Sequence, residues 1–392
     1  MKEVYVVESL RTPQGSFGGL LADVPAPRLA AAVMQGLLER SGLAAEAVDE
    51  VIVGQVLSGG CGQAPARQAM RLAGLPDAVP AMTINKVCGS GLKALMLGAG
   101  SIRLGDAGVV IAGGMENMSQ APYLLKQARY GYRMGSGEMA DLMIHDGLQD
   151  PYSDQHMGVI AEASVASQGL SREEQDRFAL RSYQRAQTAV REGTFAEEIV
   201  PVVKTTRKGE VVVAEDEEPF KVDFDKLPGL RAVFSKDGTV TAGNASTIND
   251  GAALTLLASG EAVEKYGLKP RARLVAYASH SMHPDEFTLA PVGAIEKVCA
   301  RAGLSLDDID LFEINEAFAA VTLFAIKQLG LDPEKVNVNG GAVAIGHPLG
   351  ASGGRLAATL VRELQKRQCR YGLATLCIGG GEAVAVIFER MQ

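Results

Sequence analysis

The chain has 392 residues, 47% hydrophobic and 21% charged, with a formal charge of −8. That length holds two or three units of ordinary globular composition. The acidic balance, with no Lys/Arg-rich run, excludes nucleic acid and an anionic membrane as main partners; an anionic small substrate would need a local basic patch.

In chain order, KEVYVVESL opens as a strand with no signal-peptide pattern before it. PAPRLAAAVMQGLLERSG reads as a helix, with Pro27 near its start and Gly42 as its stop. EVIVGQVL and AGVVIAGG read as buried strands. Alternating strands and helices predict an α/β layered fold. No apolar run reaches the ~18 residues of a membrane span. Five cysteines, an odd number without C-x-x-C spacing, fit free thiols in a reducing compartment. The expected location is cytoplasmic.

An internal repeat is visible. Arg40-Ser41-Gly42-Leu43, followed by Val48-Asp49, matches Arg301-Ala302-Gly303-Leu304, followed by Ile309-Asp310, at a shift of 301 − 40 = 261. Ile111-Ala112-Gly113-Gly114-Met115-Glu116 matches Cys377-Ile378-Gly379-Gly380-Gly381-Glu382 at 377 − 111 = 266. Two similar halves follow: residues 1–117, continued by 242–268, and residues 269–392. Residues 118–241 read as an inserted, lid-like segment. Within it, SREEQDRFALRSYQRAQTAVREG starts with Ser171 and has Glu174 three places on, a capping-box pattern. Its apolar positions Phe178, Leu180, Ala186 and Val190 fit one helix face only loosely.

Four segments carry chemistry. In NKVCGSG, Cys88 is placed at a helix start, where unpaired N–H groups favour a thiolate and glycines leave room for a substrate. It is either a nucleophile or a core cysteine before a buried helix. NVNGGAVAIGHPLGASGG carries His347 before a helix starting near Ser352, and histidine is the natural base for a cysteine. The same glycines lack the spacing of a P-loop or a dinucleotide fold. Cys377 ends an apolar strand in LCIGGGEA, where turn amides can face an oxyanion; it is an acid/base or a core residue. Asn315 ends a strand in EINEAF and is a ligand contact or a helix cap. His280 and His283, with Asp285 nearby, have a spacing too common to indicate a metal site, and none is expected.

NKVCGSG, NEAF, GHPLGASGG and LCIGGGEA occur in the order seen in the thiolases, and GGMENMSQAPY, HDGL, HMG and GTVTAGNASTINDGA also resemble that family, within it the acetyl-CoA acetyltransferases. The resemblance spans essentially the whole chain. It implies the thiolase fold: two similar halves in a five-layered α/β/α/β/α core with an inserted loop domain that binds CoA. It implies reversible, ping-pong Claisen condensation of two acetyl-CoA to acetoacetyl-CoA plus CoA, with no cofactor beyond the CoA thioesters themselves. By resemblance, Cys88 is acylated, His347 takes its proton, and Cys377 moves the α-proton of the second acetyl-CoA. His347 and a water held by Asn315 face the enolate oxygen. The amides of Cys88 and Gly379 face the tetrahedral oxygen. His156, Met157 and Ser246 match residues beside the pantetheine. Phe220 and Lys221 stand where the family usually places an arginine near the CoA nucleotide, a departure. Phe287, in DEFTLAPVG, matches a position lining the acyl pocket and suits acetoacetyl-CoA and its 2-methyl derivative. The segment YLLKQARYGYRMGSGEMADLMIHDGL resembles the loop of homotetrameric members. The competing readings are a degradative 3-ketoacyl-CoA thiolase of fatty-acid oxidation and a non-catalytic acyl-CoA carrier.

Overall fold

The computed structural model describes residues 2–207 and 209–391. Nine strands build its main sheet: β1 (Val4–Arg11), β2 (Glu50–Gly54), β3 (Ala81–Ile84), β4 (Val109–Asn117), β5 (Asn249–Ser259), β6 (Ala272–Ser281), β7 (Leu311–Ile314), β8 (Tyr371–Ile378) and β9 (Glu382–Arg390). Their order is β7-β8-β9-β6-β1-β5-β4-β2-β3, and the short pair Gly15–Ser16 adds to β5. The halves join where β1 meets β6, through Tyr5 opposite Arg273 and Val6 opposite Ala272.

Alternation along the strands sets the layers. On β9, Val384, Val386 and Phe388 enter the central core, while Ala383, Ala385 and Ile387 enter an outer one. The central core also takes α3 (Ser90–Leu104) and α8 (Ser352–Lys366), so both helices lie between the two half-sheets. Helices α1 (Ala26–Ser41) and α2 (Pro65–Leu72) cover the outside of the first half, and α6 (Ala290–Ala302) with α7 (Ala319–Leu329) that of the second. This is the expected five-layered arrangement.

The repeat is structural. Gly42 and Gly303 both end helices at positive φ, 69° and 67°, which glycine adopts without a Cβ clash. The Asp49 N–H donates to the Val109 carbonyl, and the Asp310 N–H to the Tyr371 carbonyl, at 2.9 Å each. Each aspartate Oδ2 then accepts two amides at the start of the neighbouring strand, Gly108 and Val109 or Arg370 and Tyr371. The shift is therefore 371 − 109 = 262. It carries Ser90 onto Ser352, the first residues of α3 and α8. It also corrects the second sequence match: Met115, not Ile111, corresponds to Cys377. The glycines and the glutamate of the two segments resemble one another four residues out of register. The β4–β5 connection, residues 118–248, thus leaves the first half where Gly379–Gly381 make a tight turn in the second.

Residues 118–248 supply no strand of the main sheet among the described residues. They contain α4 (Met157–Ser167) and α5 (Arg172–Arg191), the latter with the predicted capping box of Ser171 and Glu174. The buried stripe of α5 is Gln175, Phe178, Ala179, Ser182, Tyr183, Ala186, Gln187 and Ala189. Its period is helical, but three members are polar, which is why the apolar pattern looked loose. α5 packs on Val343–Ile345, just before His347, and α4 packs on α7 and Phe287.

Candidate active site

Cys88 stands on a strained turn between β3 and α3. The Val87 N–H donates to Asn85 Oδ1 at 2.8 Å. Ser90 Oγ accepts the Lys86 N–H at 2.8 Å and donates to the Val87 carbonyl at 2.7 Å. These bonds hold Val87 at φ 45°, a conformation that costs a β-branched residue on the order of 1–3 kcal/mol. Cys88 lies just ahead of the N-cap Gly89 rather than inside the first turn of the helix. Its own amide and that of Gly379 face the sulfur and favour the charged form. Burial still pushes the thiol up to about 11, and Glu116 adds to the rise. The helix start therefore does not produce a resting thiolate.

The loop carrying His347 crosses this turn at glycine. A Cβ on Gly91 would lie 2.7 Å from the Gly350 carbonyl oxygen and 2.9 Å from the Gly354 nitrogen, so only glycine lets the starts of α3 and α8 approach. The His347 amide donates to Asn249 Oδ1 at 3.0 Å, and its Nδ1 lies 2.5 Å from Ser352 Oγ. The ring is buried, and burial with the Arg355 charge lowers its pKa to about 3. At neutral pH the ring is uncharged, as a base must be. Arg355 is held by Glu313 at 2.9 Å and reaches Asn315 Oδ1 at 3.4 Å. Asn315 Nδ2 sits 3.4–3.5 Å from the ring nitrogens of His347, a long contact.

Cys377 lies on β8, buried, with its pKa raised by burial and then by the nearby Cys88 sulfur. Cys88, His347, Cys377 and Gly379 line one cavity of about 300 Å³. Asn315 is buried behind it against His347, and its neighbours Ala317 and Phe318 form the wall. A larger groove of about 560 Å³, around Arg40, Lys269 and Arg271, has neither cysteine nor histidine in its walls.

The cavity also has His156, Met157, Ser246 and Phe287 in its walls. His156 caps α4, its Nδ1 accepting the Gly158 N–H at 3.0 Å, and stacks on Phe234 with ring centroids 5.0 Å apart. Ser246 donates twice to the Ala317 carbonyl, through its amide and its hydroxyl. Phe287 packs edge-on against Phe318. Phe220 and Lys221 are not among the lining residues. Phe220 is 49% exposed under the Arg191 guanidinium, and Lys221 is engaged by Ser16, Glu217 and Glu218. His283 pairs with Asp285 at 3.6 Å, and no cluster of three or more metal-ligating side chains occurs among the described residues.

Several residues of the site were not singled out from sequence. Glu116 is fully buried, and its carboxylate accepts the amides of Val56, Leu57 and Gly350, tying the first half to the His347 loop. Ser352 touches the histidine ring, and Phe234 and Phe318 shape the cavity. Ser352 had a local signal, five residues after His347 at a helix start. Glu116 and Phe234 had none, because their partners are distant in the chain.

Two family models match, "Thiolase, N-terminal domain" over residues 4–261 and "Thiolase, C-terminal domain" over residues 268–390. An "Acetyl-CoA acetyltransferase" of Pseudomonas aeruginosa is 53% identical, with all of both chains covered. One of Chromobacterium violaceum is 52% identical, over 99% of this chain and 100% of its own. A crystal structure of the Bacillus anthracis acetyl-CoA acetyltransferase superposes with a TM-score of 0.97 at 44% identity, covering 100% of this chain and 99% of that one. By full-length likeness in sequence and in fold, the chain belongs to the thiolase family.

Proposed function

We propose that the protein is an acetyl-CoA acetyltransferase, condensing two acetyl-CoA reversibly to acetoacetyl-CoA and CoA. The observation that carries this reading is that two sulfurs and one imidazole, contributed by opposite halves, line a single cavity. Relatives about half identical over their full length bear that name.

In the first half-reaction the Cys88 S–H bond breaks. Its proton goes to neutral His347 and its electron pair to the thioester carbonyl. The tetrahedral oxygen is received by the amides of Cys88 and Gly379, donors of a kind worth about 10²–10³ each in rate. CoA leaves with the proton of Cys377, which becomes a thiolate beside the protonated His347, and Cys88 is acetylated. In the second, Cys377 takes the α-proton of another acetyl-CoA, and the enolate carbon attacks the acetyl-Cys88 carbonyl. His347 and Asn315 stabilise the enolate oxygen. The C–S bond then breaks, acetoacetyl-CoA leaves, the proton on His347 returns to the Cys88 sulfur, and Cys377 keeps the α-proton, so both thiols and the neutral imidazole are restored. No other cofactor is called on.

The cavity takes the acyl end and the pantetheine tip, between His156, Met157 and Ser246. Phe287 and Phe318 close it, which favours a short acyl chain over the long chains of fatty-acid oxidation. We place the enzyme in the cytoplasm. The five free thiols suit a reducing compartment, and no helix among the described residues is long and apolar enough to cross a membrane. We assign it a homotetramer: residues 123–139 are exposed throughout and carry Tyr130 and Met134, 91% and 96% exposed, apolar side chains that a partner subunit would cover.

The test is thiolysis. Acetoacetyl-CoA and free CoA are mixed with the protein, and thioester loss is followed alongside mass spectrometry of the Cys88 peptide. Turnover with an acetyl adduct at Cys88 supports the reading; no turnover with any short 3-ketoacyl-CoA overturns it.

A further inference from the structure

The carboxamide of Asn315 has two unlike ends, and only one of them suits an enolate. Its Nδ2 donates hydrogen bonds; its Oδ1 only accepts them. The side chain is buried between two partners of different chemistry. Oδ1 lies 3.4 Å from Nη2 of Arg355, and Nδ2 lies 3.4–3.5 Å from the ring nitrogens of His347.

Strand geometry explains how Arg355 reaches it. Side chains alternate along β7, so Phe312 and Ile314 enter the outer core while Glu313 and Asn315 share the opposite face. The Asn315 amide donates to the Thr375 carbonyl at 3.0 Å, which extends the pairing of β7 with β8 by one place. Arg355, 1% exposed on α8, spans the two side chains: its Nη1 donates to Glu313 Oε2 at 2.9 Å, and its Nη2 turns to Asn315. Glu313 thus anchors the guanidinium, and Nε has no acceptor among the described residues.

A guanidinium carries donors only and stays charged at any working pH. The end of the amide beside it must therefore be the oxygen, which leaves Nδ2 on the His347 side. The flipped amide would oppose the second half-reaction, in which His347 is an imidazolium. Its carbonyl oxygen would accept the ring N–H and withdraw that proton from the enolate. It would also turn a lone pair, in place of a donor, toward the developing negative charge. With the amide held by Arg355, Asn315 and the imidazolium are two neighbouring donors, and the enolate oxygen is the acceptor they lack. The Arg355 charge also acts on the ring, helping burial to lower its pKa, so the imidazolium readily returns its proton to Cys88.

We propose that Arg355 is a positioning residue for the enolate step: anchored by Glu313, it fixes the Asn315 amide with Nδ2 on the His347 side. The inference rests on the enolate of the proposed reaction, and it names the residue that orients one of its donors.

Two measurements test it. Neutron diffraction from wild-type crystals in D2O locates deuterons directly. Two deuterons on the Asn315 atom nearest His347, and none on the atom facing Arg355, are expected; the reverse overturns the proposal whether or not any variant folds. The second measurement uses Arg355→Met combined with Glu313→Leu, which removes the anchor without stranding a buried charge. Exchange of labelled CoA into acetyl-CoA reports the first half-reaction alone, and thiolysis of acetoacetyl-CoA reports both. Thiolysis should fall about 10²-fold in kcat, while the exchange stays within about threefold of wild type. Equal losses in the two assays would reduce Arg355 to a structural residue, and unchanged thiolysis would leave it without a role; either result overturns the proposal. Absence of turnover in the wild type would instead defeat the functional reading, and the neutron map would still judge the amide.

Discussion

The Gly379 amide, from the second half of the chain, faces the sulfur of Cys88, from the first, and favours its charged form. Neither half can therefore present a complete site, and the two sulfurs can be separated by function as they are separated in sequence. Cys88→Ser should abolish the acetyl adduct together with turnover. Cys377→Ser should keep the adduct and lose about 10²–10⁴ in condensation and thiolysis. Mass spectrometry after incubation with acetyl-CoA distinguishes them; an adduct lost equally in both would refute the division of labour.

The resting pair is neutral. Burial holds Cys88 at about 11 and His347 at about 3, so near pH 7 the thiol keeps its proton and the ring has none. Alkylation of Cys88 by iodoacetamide should climb about tenfold per pH unit from about pH 7 to about pH 9, without a plateau. A plateau below about pH 8 would reveal a preformed thiolate and contradict this electrostatic picture.

Phe287 is 2% exposed and lines the cavity beside Phe318. Phe287→Ala should raise cleavage of C8 relative to C4 3-ketoacyl-CoA by about tenfold, at a stability cost of about 3–5 kcal/mol. Phe287→Met, closer in volume, should cost less than about 1.5 kcal/mol and shift the profile less. An unchanged chain-length profile in both would remove Phe287 from the acyl pocket.

Glu116 couples structure to pH. Burial pushes its pKa up to about 7, against the three amides that favour its charge. A carboxyl raised in the folded state contributes stability that is complete below its unfolded value, near 4.5, and is lost as pH rises through about 7. The loss is on the order of 3 kcal/mol. Glu116→Gln should lack this dependence. Melting temperatures of the two proteins should therefore diverge in the variant's favour between about pH 5 and about pH 8. Parallel melting curves across that range would rule the coupling out.

The proposed homotetramer places a partner on Tyr130 and Met134, which are almost fully exposed in the single chain. Replacing both with serine should leave the fold intact and reduce the oligomer from tetramer to dimer in light scattering. A tetramer that survives the double change would place the contact elsewhere.

How much was legible follows from how each feature is encoded. Helix stops at Gly42 and Gly303, the capping box of Ser171 and Glu174, and the doubly buried strands are local, and steric rules within a few residues specify them. The repeat was visible through its paired aspartates, which perform the same local task twice. Its second match slipped by four residues, because two glycine-rich segments look alike wherever they fall and only strand pairing fixes register. α5 hid its buried face because Gln175, Ser182 and Gln187 find hydrogen-bond partners inside; Ser182, for one, donates to Glu316 at 2.7 Å.

The sequence by itself determined which chemistry the chain carries: two cysteines, a histidine and an asparagine in recognisable settings, on elements whose ends are locally coded. The tertiary structure decided how that chemistry is held. It brought Cys88, His347 and Cys377 to one cavity, left Phe220 and Lys221 outside its walls, and surrounded Glu116 with three distant amides. It also set the charges. Desolvation depends on what packs around a group from remote parts of the chain, so a helix start that favours a thiolate in principle is outweighed here by burial.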